Sequence, residues 1–179
     1  MSHPALSTDD FEQAFAMARA RETAAARTTL LYIGAEHTVV LSGHAMPPDV
    51  SLTLAVGAQR TAAAFFRQVP PASHELEQAI DAVEDEVMRA RTLRVDGAEL
   101  VSTAAGLGEW ARFADPTMTL ETVEQMFQRL ASASLGHPGA MLGLPAGNEA
   151  AATLLILREF MHHLGYPAIT VVDAARAPD

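Results

Sequence analysis

The sequence predicts an α/β domain, and three observations carry that expectation. Short β-rich apolar runs alternate with longer segments of helical periodicity. Residues 30–41 place two of those runs on either side of a short turn beginning at Gly34, which reads as strand, tight turn, strand. Residues 148–164 are almost wholly apolar and end at Gly165, a natural left-handed helix stop, so this helix belongs in the middle of the domain.

The elements follow in order. Residues 8–27 form an alanine-rich helix with Thr8 as N-cap. Asp9 and Asp10 suit its positive dipole end, and Phe11, Phe15 and Ala18 share one face. Strands are predicted at 29–34, 38–42 and, after the Met46-Pro47-Pro48-Asp49 turn, 50–56. In 58–68 alanine and the Phe65-Phe66 pair replace the β-branched pattern, giving a helix that Pro70-Pro71 stops. Leu76, Ile80, Val83, Val87 and Met88 lie at helical spacing among acids, so 73–91 is amphipathic. A short buried strand at 97–103 runs into a segment at 104–113. A second amphipathic helix spans 119–135 with Thr119 and Thr122 near its start, and 136–147 is a turn-rich loop. The last strand is 168–172.

At 179 residues the chain is read as a single domain over 1–179, large enough to bury a core. An apolar content of 49% and a mean hydropathy of +0.11 make it globular. No apolar run reaches membrane-spanning length, and Met1-Ser2-His3-Pro4 lacks the start of a signal peptide, so a cytoplasmic protein without a membrane partner is expected. With no cysteine there is neither a disulfide framework nor a thiolate metal site or nucleophile. The net charge is −10, all 12 basic residues are arginines, and they form no cluster. That field works against a long polyanion, so nucleic acid is not expected as a partner, while a single phosphate group is still compatible.

Several constellations resolve to structure. His162 and His163 are adjacent on a helix, so their side chains point about 100° apart and do not chelate one ion together. They read as imidazoles favouring a helix C-terminus, and no metal site is expected. Ser42-Gly43-His44 has no nucleophile elbow. Met88, Met126 and Met161 read as core residues, and the acids of 75–86 as a solvated helix face. His37, with Glu36 beside it, is either a solvated turn pair or, when protonated, an anion contact. Asp10 is either a first-turn acid or a general base.

The hairpin is similar to the phosphate-binding hairpin of actin-like and sugar-kinase-like phosphotransferases, which reads Asp-hydrophobic-Gly-Gly-Gly-Ser/Thr-Thr. Here Tyr32 stands in place of the acid, and Ala35 and Glu36 in place of glycines, so a Cβ and a carboxylate are expected where an anion would sit. The wider order of strings resembles the C-terminal half of the exopolyphosphatase/guanosine pentaphosphate phosphatase (Ppx/GppA) family. It runs through Leu6-Ser7-Thr8-Asp9-Asp10, the hairpin, Gly57-Ala58-Gln59-Arg60, Pro70-Pro71-Ala72-Ser73-His74-Glu75-Leu76 and Thr119-Leu120-Glu121-Thr122-Val123. It closes with Gly143-Leu144-Pro145-Ala146-Gly147, Leu155-Ile156-Leu157 and Ile169-Thr170-Val171-Val172-Asp173.

The resemblance implies a ribonuclease-H-like, actin-like half-domain with a mixed sheet flanked by helices. It places Asp10 near the family's catalytic glutamate, Gly34, His37 and Thr38 at the phosphate hairpin, and Ser102 and Thr103 at a second phosphate loop. An active protein of this kind would use Mg²⁺. The family's Arg-Ala-Asp at the long helix reads Asn148-Glu149-Ala150 here, and its terminal Ser-Asp-x-Gly string reads Val172-Asp173-Ala174-Ala175. The polar positions changed while the apolar ones stayed, which implies a retained fold with degenerate catalysis. The alternative is an active phosphohydrolase completed by another subunit. A half-domain without its partner half exposes apolar surface, so a homodimer is expected. A phosphate-containing small molecule is the ligand class implied.

Overall fold

A computed structural model of the chain describes residues 8–20, 27–94, 96–113 and 116–172. Helix α1 (Thr8–Ala20) precedes three strands, β1 (Thr28–Ile33), β2 (Thr38–Gly43) and β3 (Val50–Leu54). Helices α2 (Ala58–Phe65) and α3 (Ser73–Val87) follow, with a 3₁₀ turn at Met88–Leu93. Next come β4 (Glu99–Thr103), the short α4 (Ala104–Leu107), β5 (Thr117–Thr119), α5 (Leu120–Ser134), α6 (Asn148–Leu164) and β6 (Ala168–Val172). The side chains of Thr8 and Asp9 and the string from Asp173 onward lie outside the described residues.

The strands make one six-stranded mixed sheet in the order β3-β2-β1-β4-β6-β5. The two hairpin pairings, β1–β2 and β2–β3, are antiparallel. Strand β4 runs parallel to both β1 and β6, and β5 closes the far edge antiparallel to β6. The fold is therefore the α/β class expected, a mixed sheet with helices on its faces.

Alternation along β1 sorts the two layers. Leu31 and Ile33 point into the main core with α2, α3, α5 and α6, while Leu30 points into a smaller cluster with Phe15 and Ala18 of α1. Helix α6 sits centrally in the larger layer. Every residue from Ala151 to Leu157 is buried, which is why its sequence shows no polar face there. The Trp110 indole N–H donates to Ala150 O at 2.9 Å, tying the segment after β4 to the first turn of α6. Gly165, at φ 69°, terminates α6 in the left-handed conformation expected of it.

Most boundaries shift by a residue or two from the sequence expectation, and the larger differences have local reasons. Strand β3 ends at Leu54, because the Ala55 N–H donates to Glu86 Oε1 instead of continuing the ladder. Helix α2 ends at Phe65, with Phe66 extended at its C-cap, five residues shy of Pro70 and Pro71. The last turn expected of α3 tightens to 3₁₀ from Met88 onward. Strand β5, three residues long, is formed by its pairing to β6 and gave no alternation to find. Among the described residues no helix is long and apolar enough to cross a membrane.

Candidate functional site

The parallel strands β1, β4 and β6 finish at one end of the sheet, and the residues singled out by sequence gather there. Gly34 follows β1 and its N–H donates to His37 O at 2.9 Å, closing the hairpin turn. Thr38 opens β2, while Ser102 and Thr103 end β4. Helix α1 runs back along β1: Arg19 Nη1 donates to Thr28 Oγ1 at the start of the strand, and Phe11 meets Tyr32 near its end. The first turn of α1, with the exposed Asp10, therefore lies at the same end.

What these groups bond to decides what they can do. The Thr38 side chain is buried, and its hydroxyl donates to Val56 O at 2.8 Å. Thr103 Oγ1 accepts from the Gly106 N–H at 3.1 Å and caps α4. Ser102 is fully buried, with one long contact of 3.4 Å to Thr103 O. His37 and Glu36 are exposed in the turn, as a solvated pair would be.

The hairpin carbonyls are also committed. Gly34 O accepts from Ala58 N at 2.9 Å, and Ala35 O accepts from Gln59 N and Arg60 N at 2.9 and 3.0 Å. Those amides open α2, so the turn plugs a helix N-terminus that would otherwise suit an anion. Gly57 makes this approach possible. A Cβ on Gly57 would stand 2.5 Å from both Ala35 O and Glu36 C, and 2.6 Å from His37 N, which no side chain tolerates. Sequence reading passed over this glycine as one letter of a string; its position just before a helix was the available signal.

Between the two loops lies Tyr32. Its ring packs edge-on against Phe11, with centroids 5.0 Å apart. A Cβ on Gly34 would come within 3.1 Å of Tyr32 Cε1, and one on Gly106 within 3.0 Å of Tyr32 Cδ2. The phenol thus spans from the hairpin glycine to helix α4, and its burial raises the hydroxyl pKa above the ordinary value. Ala35 and Glu36 are exposed in the turn, and the Tyr32 ring is the bulky group that packs against Gly34.

Magnesium at this end would need convergent oxygen ligands. Tyr32 replaces the acid of the resemblance, and Asp10 and Glu36 are exposed. Among the described residues the one group of three carboxylate or imidazole ligands within reach of each other lies elsewhere. Among the described residues, no group of three such ligands stands at the hairpin.

That other group is on the helical layer. His163 Nε2 lies 3.0 Å from Glu159 Oε2 and 3.7 Å from Glu84 Oε1, while His162 Nδ1 lies 3.4 Å from Glu124 Oε1. The two imidazole rings meet edge-on, with centroids 5.2 Å apart, while their polar partners lie on different helices, Glu124 on α5 and Glu84 on α3. Arg158 Nε donates to Glu124 Oε1 at 3.1 Å, and its Nη1 donates to Glu159 Oε1. These carboxylates hold the guanidinium pKa above its ordinary value, although burial, the largest single influence, pulls it down. The sequence did not reveal the grouping, because Glu84 comes from α3; the spacing of Glu159 and His163 by one helical turn was the only local signal.

No family model matches this sequence, and no curated protein matches it. Solved structures do match in fold. An Aquifex aeolicus member of the Ppx/GppA family superposes with a TM-score of 0.68 at 13% identity, over 94% of this chain and 59% of that one. An exopolyphosphatase from Cytophaga hutchinsonii gives 0.66 at 12% identity, over 90% and 59%. An exopolyphosphatase-like protein gives 0.62 at 11% identity, over 83% and 55%. This chain has the fold seen in Ppx/GppA structures and spans a little over half their length.

Proposed function

We propose that this chain is a catalytically degenerate Ppx/GppA-like protein that acts as a binding or oligomerisation module. The observation that carries this reading is Tyr32, whose ring lies between the hairpin glycine and helix α4. Stabilising a phosphoryl-transfer transition state requires donors aimed at the developing charge. Here the Thr38 hydroxyl and the first amides of α2 are turned onto the protein itself, and the Thr103 hydroxyl caps α4. The net charge of −10 adds an unfavourable field for polyphosphate or nucleic acid.

A homodimer is the assembly proposed. Val69, Leu135 and Leu142 are 67%, 69% and 79% exposed, and Val69 lines an apolar groove with Pro71, Leu130, Met141 and Ala151. Exposed aliphatic side chains, with Val69 at the edge of the groove, favour self-association. A phosphate-containing small molecule is the ligand class that the likeness in fold favours.

Phosphate release from polyphosphate and guanosine pentaphosphate in Mg²⁺ tests the reading. The chain is expected to release no more phosphate than its Asp10→Asn variant. Release that Asp10→Asn abolishes would instead establish a working phosphohydrolase whose site another subunit completes. Sedimentation at high micromolar concentration tests the assembly, and a strict monomer would overturn it.

A further inference from the structure

Glu159 and His163 sit four residues apart on α6, so their side chains stack on one face of the helix. Glu84 reaches them from α3. The three ligand atoms, one from each residue, all lie within 4.8 Å of one another. An ion bound at about 2.1 Å to each would hold its donors roughly 3–3.5 Å apart, so only a small inward movement of Glu84 is needed. That side chain is 44% exposed at the rim and has room to make it.

Charge and burial point the same way. Among the described residues, Arg158 pairs with Glu124 and Glu159, while Glu84 meets only the His163 imidazole and His162 meets Glu124. The Glu159 carboxylate is fully buried; Arg158 donates to its Oε1, and its Oε2 is hydrogen-bonded to His163 Nε2 at 3.0 Å, a bond that an ion held by both atoms would replace. A buried carboxylate is costly unless its charge is compensated.

We infer that Glu84, Glu159 and His163 form a site for a divalent transition ion of the zinc class, cross-linking α3 to α6 with solvent completing the coordination. Two carboxylate oxygens and one imidazole nitrogen are a borderline donor set that suits zinc, whereas magnesium prefers oxygen throughout. Arg158 is a positioning residue here: by holding Oε1 it aims Oε2 at the ion. The site lies toward the α6 C-terminus, which leads into the start of β6, at the end of the sheet away from the hairpin. It is independent of the phosphatase-like reading.

Calorimetric titration of the full chain with Zn²⁺ tests the site, run beside His163→Ala, Glu84→Gln and the control His74→Ala, an exposed histidine at the start of α3. One equivalent of zinc is expected to bind. At a free zinc concentration about 100 times Kd, Tm should rise by about 5–10 °C, with no rise in Mg²⁺. Glu84→Gln and His163→Ala should each weaken binding by at least about tenfold, the least that losing even a supporting group costs, and His74→Ala should not. Because Glu84 is at the surface, its variant keeps the test valid if His163→Ala fails to fold. The visible absorption of bound Co²⁺ should fall in step with the loss of affinity. No saturable binding, or binding that Glu84→Gln retains in full, would overturn the site.

Discussion

At the end of the sheet where β1, β4 and β6 finish, polar groups are spent on the protein's own backbone. Thr38 donates to Val56, Thr103 caps α4, and the hairpin carbonyls fill the start of α2. On the helical layer near the other end, Glu84, Glu159 and His163 meet as side chains, with one carboxylate fully buried. The first arrangement needs no ligand and has the exposed surface of a turn. The second gathers carboxylates and imidazoles around Arg158 and is the arrangement proposed to take a cation. The strand end that resembles a phosphate site thus turns its polar groups onto the protein, while the convergent side chains stand on the helix face.

The comparison breaks most visibly at Gly57. Gly57→Val should cost at least about 3 kcal/mol in urea unfolding, because the new side chain meets backbone and forces the hairpin off α2. A cost below about 1 kcal/mol would mean that the contact between hairpin and helix yields easily. On the helical layer, Glu159→Ala should cost about 2–3 kcal/mol by removing a buried anion from Arg158 and His163. The loss stays at the low end because Arg158 keeps Glu124. Thr38→Val should cost roughly 1–2 kcal/mol by leaving Val56 O without its donor, with no effect on the affinity for inorganic phosphate. A phosphate affinity that fell with Thr38→Val would restore the hairpin as a ligand site.

The smallest effect concerns Glu75. Its carboxylate accepts from Ala72 N at 2.9 Å and Arg67 N at 3.0 Å, and the Ala72 bond leads in holding its pKa below the ordinary carboxylate value. A depressed folded-state pKa stabilises the fold above the unfolded-state value, and the gain is lost as pH falls through the folded one. Glu75→Gln should therefore flatten the acid side of the stability–pH curve and leave the alkaline side alone, as read by Tm from pH 7 down to 3.

The layers were legible because packing leaves periodic traces. Leu76, Val83 and Val87 mark the buried face of α3, and the unbroken apolar run of α6 marks a helix covered on all sides. Thr119 was legible as a helix start, and it accepts from Thr122 N at 3.1 Å as a cap should. Strand β5 was not legible, since Thr-Met-Thr gains its conformation from β6 alone. At the candidate site, the replacement of an acid by Tyr32 was visible, but the reach of its ring to Gly106 was not. That contact joins residues 74 positions apart and depends on β1 and β4 being neighbours. The meeting of Glu84 with His163 was hidden in the same way, by the packing of α3 on α6.

The three amides at the start of α2 are bonded to the hairpin turn, whereas helix starts ordinarily leave such amides to water. Their hydrogens can exchange with solvent only when the turn lifts away. Ala58, Gln59 and Arg60 should therefore exchange at the slow pace of the β1–β2 ladder, so that a strand pair and a helix that are not consecutive in the chain open as one cooperative unit.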